Sequence, residues 1–191
     1  MTFAILHVCV GNICRSVLAE RLTTLEALRR FGPDTRPVQV TSAGTRARPG
    51  APMHPYAAAA LRARGAPTDH FAARRLTPVA IAAADLVLTA TAAERDDVLT
   101  MLPAALDRTF TLREFARLAT HLPPAAGEPA AVVAAALGLR WRVAATDPDG
   151  DDIVDPRRTR RGLQACAAVT ATAVRSTMEA LFATEGAVRA R

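Results

Sequence analysis

The 191-residue chain contains no lysine. All 24 of its basic residues are arginine, set against 18 acidic ones, for a formal charge of +6. A guanidinium fork grips phosphate and carboxylate through two oxygens, so such a surface favours oxyanion partners. Genomic compositional bias accounts for the missing lysine equally well. The arginines are spread along the chain rather than gathered in a block, which argues against nucleic acid as a partner. Cysteine is scarce too. Three residues, two of them five apart, make no disulfide framework. Long apolar runs are also missing: the first is short and ends in glycine and asparagine, unlike a signal peptide. None approaches the roughly 18 uncharged residues of a membrane span. These absences lead us to expect a soluble, cytoplasmic protein with no membrane partner. Aromatic residues make up only 4% of the chain, with one Trp and one Tyr.

What is present is a core-forming composition. Half the residues are apolar, enough for one domain and too few for two. Much of that half is alanine, which favours helices that each bury modest area. Phe3–Val8 reads as a buried strand. Leu18, Leu22, Leu25 and Leu28 recur at helical spacing from Ser16 to Phe31, where Gly32-Pro33 ends the helix. A second strand is expected over Val38–Thr41, followed by a Ser42-Ala43-Gly44 turn, and a helix over Pro55–Arg64 closed by Gly65. Asp85–Thr89 reads as a third strand, and Thr91–Leu102 as a helix with Thr91 at its N-cap and Glu94 three places on. Thr109–Thr111 reads as a short fourth strand, with helices over Leu112–Ala119, Pro129–Leu137 and Gly162–Ala183. Alternating strands and helices imply an α/β domain, a parallel sheet covered on both faces. Thr120–Gly150 is rich in proline and alanine and reads as a surface excursion or lid within a single domain of residues 1–191. Thr184–Arg191 reads as a frayed end.

The chemistry concentrates in "VCVGNICRSVLAE", Val8 to Glu20. A strand, a tight turn and then a helix is how folds present backbone N–H groups to a phosphate. Gly11 is expected to supply a positive φ and a close backbone approach to ligand. Ser16 stands at the helix entrance, where a hydroxyl can cap or point inward. Arg15 can hold two oxygens of an anion. Cys9 opens the turn, and a thiolate at the base of an oxyanion cradle suits in-line attack on phosphorus. The spacing of Cys9 and Arg15 alone is weak in a chain so rich in arginine; the whole string between strand and helix is far more specific.

That string resembles the signature of the low-molecular-weight protein tyrosine phosphatases. "TSAGTRARPGAPMHPYAAAALRARG", "HFAARRLT", "ADLVLT" and "IVDP" resemble further segments of the family. The resemblance implies a three-layer α/β/α fold of flavodoxin-like type, with a four-stranded parallel sheet in order 2-1-3-4. It implies Cys9 as nucleophile, Arg15 as the phosphoryl and transition-state ligand, and Asp155 as general acid and then base. Asn12 would hold the loop's shape, Ser16 would donate to the Cys9 sulfur, and Val10, Gly11, Ile13 and Cys14 would complete the phosphate loop. Cys14 reads either as a reversible disulfide partner of Cys9 or as a small residue filling a tight turn. No cofactor or metal is implied, because Arg15 and the amides stabilise charge. The implied partner is a tyrosine-phosphorylated protein, and the implied assembly a monomer or weak dimer.

Asp-Pro occurs twice, at Asp147-Pro148 and Asp155-Pro156. Asp155 is preferred as the acid because Ile153-Val154 can anchor it, whereas Asp147 sits among turn formers. Asp151 and Asp152 read as solvated or loop-capping, Cys166 as core, and His7 as a satisfied core histidine. Two departures from the family stand out. Arg157 and Arg158 follow Asp155-Pro156, and Arg46 and Ala47 follow "SAGT", where aromatic walls of a phosphotyrosine slot are usual. The expected rim is therefore cationic. Arsenate reductases of this fold need relay cysteines, and "LTATAAERDDV" offers none. Protein-arginine phosphatases carry threonine where this chain has Ile13. A non-catalytic phosphate-binding module would need neither Cys9 nor Asp155.

Overall fold

The computed structural model describes residues 2–33, 37–123, 127–143 and 150–183. Four parallel strands, β1 (Phe3–Cys9), β2 (Val38–Gly44), β3 (Leu86–Thr89) and β4 (Thr109–Thr111), form one sheet in the order β2-β1-β3-β4. The expected order is borne out. Alternation along β1 divides its side chains between two cores. Phe3, Ile5 and Cys9 face the larger one, built with helices α1 (Arg15–Phe31), α2 (Pro55–Arg62), α5 (Leu112–Ala119), α6 (Pro129–Leu139) and α7 (Arg160–Leu181). Leu6 and Val8 face the smaller one, with Ile81 of α3 (Pro78–Ala82) and Val98 of α4 (Ala92–Met101). Helices thus cover both faces, as a parallel sheet requires.

The differences from the sequence reading are local. β2 runs on through Ser42-Ala43-Gly44 instead of turning there, because it pairs with β1 as far as Cys9 opposite Gly44. The short α3 was not expected, although Thr77 caps it from Ala80 and Pro78 occupies its first turn. Within the expected excursion, α6 buries Val132, Val133 and Ala136 in the larger core. Asp147 and Thr184–Arg191 lie outside the described residues.

In the order 2-1-3-4 the chain leaves β1 toward β2 on one side, while β3 continues to β4 on the other. The loop after β1 therefore sits at the sheet's topological switch point, where open α/β folds bind ligands. None of the described helices is long and apolar enough to cross a membrane.

Candidate active site

Cys9 ends β1, and Arg15 begins α1 after five intervening residues. No side chain caps the N-terminus of α1 at Cys14, so the first-turn N–H groups remain available to an oxyanion. The turn's left-handed residue is Asn12 (φ 51°), not Gly11. Asparagine tolerates this region because its short side chain bonds locally. A Cβ on Gly11 would meet only Ile13, at an ordinary 3.6 Å. The glycine on which this turn depends is Gly44: a Cβ there would lie 2.5 Å from the Val10 carbonyl and 2.8 Å from the Asn12 nitrogen. Backbone bonds from Thr45 to Cys9 (2.9 Å) and from Arg46 to Val10 (2.8 Å) then fasten the loop after β2 along the turn.

The direction of the hydrogen bonds around Cys9 can be read off. The Arg74 amide donates to Asn12 Oδ1 (2.8 Å), which fixes the orientation of that side-chain amide. Its Nδ2 then donates to Ser16 Oγ (2.9 Å) and Ser42 Oγ (2.7 Å). Both Nδ2 hydrogens are used, so the Ser16 hydroxyl is left to donate to Cys9 Sγ, 2.9 Å away. The Asn12 backbone N–H also donates to that sulfur, at 3.3 Å. On the far side the Ser42 hydroxyl donates to Glu20, which pairs with Arg74 Nη2 at 3.0 Å. Two donors thus converge on Sγ, and a carboxylate anchors the chain that orients one of them.

Arg15 is only 7% exposed, and two carboxylates hold its guanidinium. Glu94 Oε1 lies 3.1 Å from Nη1, and Asp155 Oδ1 lies 3.1 Å from Nε. Nη1 also donates to the Ile153 carbonyl at 3.3 Å. Glu94 is buried and accepts from the Thr91 hydroxyl. The acid-bearing segment is tied down along its length. Asp151 forms a bidentate pair with Arg117 (2.9 and 2.6 Å), Asp152 caps α4 at the Ala92 amide (2.9 Å), and Ile153 donates to the Ala90 carbonyl (2.7 Å). Asp151 is therefore paired rather than solvated. Ile153 anchors the segment from the core, whereas Val154 is 70% exposed and anchors nothing.

A cavity of about 290 Å³ opens here, lined by Cys9, Val10, Gly11, Ile13, Cys14 and Arg15 from the turn and by Asp155, Pro156 and Arg158 from the facing segment. Asn12 and Ser16 are buried behind the turn and do not reach the cavity. Of the four expected rim residues only Arg158 lines it. Arg46 and Arg157 are exposed beside it, and Ala47 is 2% exposed, packed beneath the loop. Burial, reinforced by the neighbouring Cys9, pushes the Cys14 thiol up to about 11. A larger cleft of about 410 Å³ beside β2 has no cysteine or carboxylate among the described residues that line it. No cluster of three or more metal-ligating side chains occurs among the described residues.

His7, on β1, is only partly satisfied. Nε2 bonds Thr23 Oγ1 at 2.9 Å, Nδ1 has no partner, and burial lowers the ring's pKa to about 3. The sequence reading missed Glu20, Ser42, Arg74 and Glu94. Glu94 carried a signal only as a helix-start residue, and Glu20 only as the end of the motif string.

An oxyanion cradle at the switch point of a parallel sheet, with a cysteine at its base and a carboxylate across it, is the arrangement of a cysteine-dependent phosphatase. The chain belongs to the low molecular weight phosphotyrosine protein phosphatase family, whose model matches residues 4–124. It is 35% identical over 114 residues to a probable low molecular weight protein-tyrosine-phosphatase, EpsP, of Ralstonia nicotianae, covering 60% of this chain and 73% of that one. It is 36% identical over 115 residues to a protein-arginine-phosphatase of Geobacillus stearothermophilus, covering 60% and 72%. Among solved structures, the YwlE arginine phosphatase of Geobacillus stearothermophilus superposes with a TM-score of 0.68 at 27% identity, over 94% of this chain and 92% of that one. The Erwinia amylovora tyrosine phosphatase AmsI shares the fold with a TM-score of 0.68 at 24% identity, over 95% and 94%.

Proposed function

We propose that this phosphatase hydrolyses aryl phosphate monoesters, phosphotyrosine in proteins foremost, through a cysteinyl-phosphate. The Cys9 thiolate attacks phosphorus as the bond to the phenolic oxygen breaks, and Asp155, entering as the acid, gives that oxygen its proton. The Asp155 carboxylate then takes a proton from water, which attacks phosphorus and breaks the S–P bond, releasing inorganic phosphate and the thiolate. Arg15 and the turn amides hold the three phosphoryl oxygens in both steps. Ser16 stabilises the sulfur when it leaves.

The supporting observation is the convergence of Ser16 and Asn12 donors on Sγ beside a guanidinium held by two carboxylates. The relatives named for arginine dephosphorylation make phosphoarginine the competing substrate. Ile13 and Arg158 on the cavity weigh against it, since a guanidinium leaving group would meet an aliphatic chain and a like charge. The test compares release of phosphate from a phosphotyrosine peptide and from phosphoarginine. A higher kcat/KM on the former, abolished by Cys9→Ser, supports the reading; preference for phosphoarginine overturns it.

A further inference from the structure

The cavity that holds Cys9 has no aromatic side chain in its lining. Its apolar contacts are aliphatic, from Val10, Ile13 and Pro156, and its exposed charged groups are Asp155, paired with Arg15, and Arg158. That charge reaches inward: it is felt at the Cys14 thiol, where it opposes the rise caused by burial. Arg157 is exposed next to it, and Arg46 is exposed on the loop fastened to Val10.

The setting of these arginines sharpens the point. Thr159 caps α7 by accepting from the Gly162 amide at 3.0 Å, so Arg157 and Arg158 immediately precede the helix, and Arg160 and Arg161 open it. The first turn of α7 holds no acidic residue. Cations at a helix N-terminus oppose the macrodipole and destabilise. Among the described residues no carboxylate forms an ion pair with any of the four. These charges sit where the helix dipole disfavours them, and Arg158, which lines the cavity and has Arg157 next to it, is complementary to an anion brought by a ligand. The phosphoryl group itself is already served by Arg15.

We propose that Arg158, assisted by Arg157 and Arg46, selects phosphotyrosine that is flanked in its peptide by acidic side chains. The inference rests on the phosphotyrosine reading above. A flanking Asp or Glu would meet the arginine rim while the phosphoryl group sits over Cys9. The rim is exposed, so the gain is one of exposed ion pairs, about tenfold in kcat/KM for two of them, and it weakens with salt.

The experiment uses two phosphotyrosine peptides of equal length, one flanked by Glu and one by Lys, with p-nitrophenyl phosphate as a reference that has no flanking residues. Wild type is expected to favour the Glu peptide at least about tenfold, mainly through KM, and less at high ionic strength. In the double variant R157Q/R158Q that ratio should fall toward one, and in R157E/R158E it should invert. The inversion separates charge recognition from a structural effect, because misfolding lowers both peptides together. A wild-type ratio near one, or a ratio that charge reversal leaves unchanged, overturns the proposal. No turnover of p-nitrophenyl phosphate would instead overturn the phosphatase reading beneath it.

Discussion

Glu94→Gln is the most informative single change. Glu94 and Arg15 are both nearly inaccessible to water, with side chains 3% and 7% exposed and 3.1 Å apart. Removing one partner of a buried pair costs about 3–5 kcal/mol, mostly because a charge is left behind. Here Arg15 keeps Asp155 and the Ile153 carbonyl as partners, and Gln retains an acceptor in the same place. The expected loss is therefore that between a charge-assisted and a neutral hydrogen bond, about 1–2 kcal/mol. That loss falls on the orientation of the group that must match the transition state. Misplacement on the scale of 1 Å costs about a hundredfold in rate. Glu94→Gln should lower kcat/KM for p-nitrophenyl phosphate between about tenfold and a hundredfold, and weaken competitive inhibition by inorganic phosphate in parallel. A thermal melt, run alongside, should remain cooperative and fall by only about 2–8 °C. A folded Glu94→Gln protein with kcat/KM within about twofold of wild type would refute the claim that Glu94 positions Arg15.

Gly44→Ala should be far more damaging to turnover than its size implies, since the added methyl would push on the backbone at Val10 and Asn12; overpacking of about 1–3 kcal/mol is expected in a denaturant melt, with a drop in kcat of about a hundredfold or more. Asp155→Ala should slow release of the phenol in the first turnover by about 10²–10⁴-fold on phenyl phosphate and by much less on p-nitrophenyl phosphate, whose leaving group needs little protonation, while hydrolysis of the cysteinyl-phosphate slows equally for both. His7 stays neutral in the fold down to a pKa of about 3, against 6.5 unfolded. Below pH 6.5 the unfolded chain therefore binds the extra proton, and stability falls as pH falls toward 3. Between pH 7.5 and pH 5 this one group should remove about 2 kcal/mol, measured by urea unfolding. His7→Gln should show a correspondingly smaller difference between the two pH values.

The contiguous part of the site was legible because its chemistry is local. Cys9, Asn12, Arg15 and Ser16 sit within eight residues, and a strand before them and a helix after them fix the geometry of the turn. The supporting carboxylates were not legible. Glu94 reaches Arg15 across 79 positions of chain and Arg74 reaches Glu20 across 54, and neither distance leaves a trace in periodicity. Glycine misled in a similar way. The sequence drew attention to Gly11 in the loop, whereas the steric demand falls on Gly44, which looked like a turn former until β2 was seen to pair through it. The positive φ went to Asn12, whose side chain is occupied at both ends by partners 4 to 62 residues away. The cationic rim was visible as a charge pattern, but only the fold distinguishes Arg158 on the cavity from Ala47 beneath the loop.

The most direct test of the account is to trap the intermediate. Asp155→Ala protein, mixed with excess p-nitrophenyl phosphate and quenched in acid, is digested and analysed by mass spectrometry. The peptide carrying Cys9 should gain one phosphoryl group on sulfur, absent from Cys9→Ser handled the same way. Turnover without phosphate on that peptide, or with phosphate on another side chain, would contradict the covalent role of Cys9.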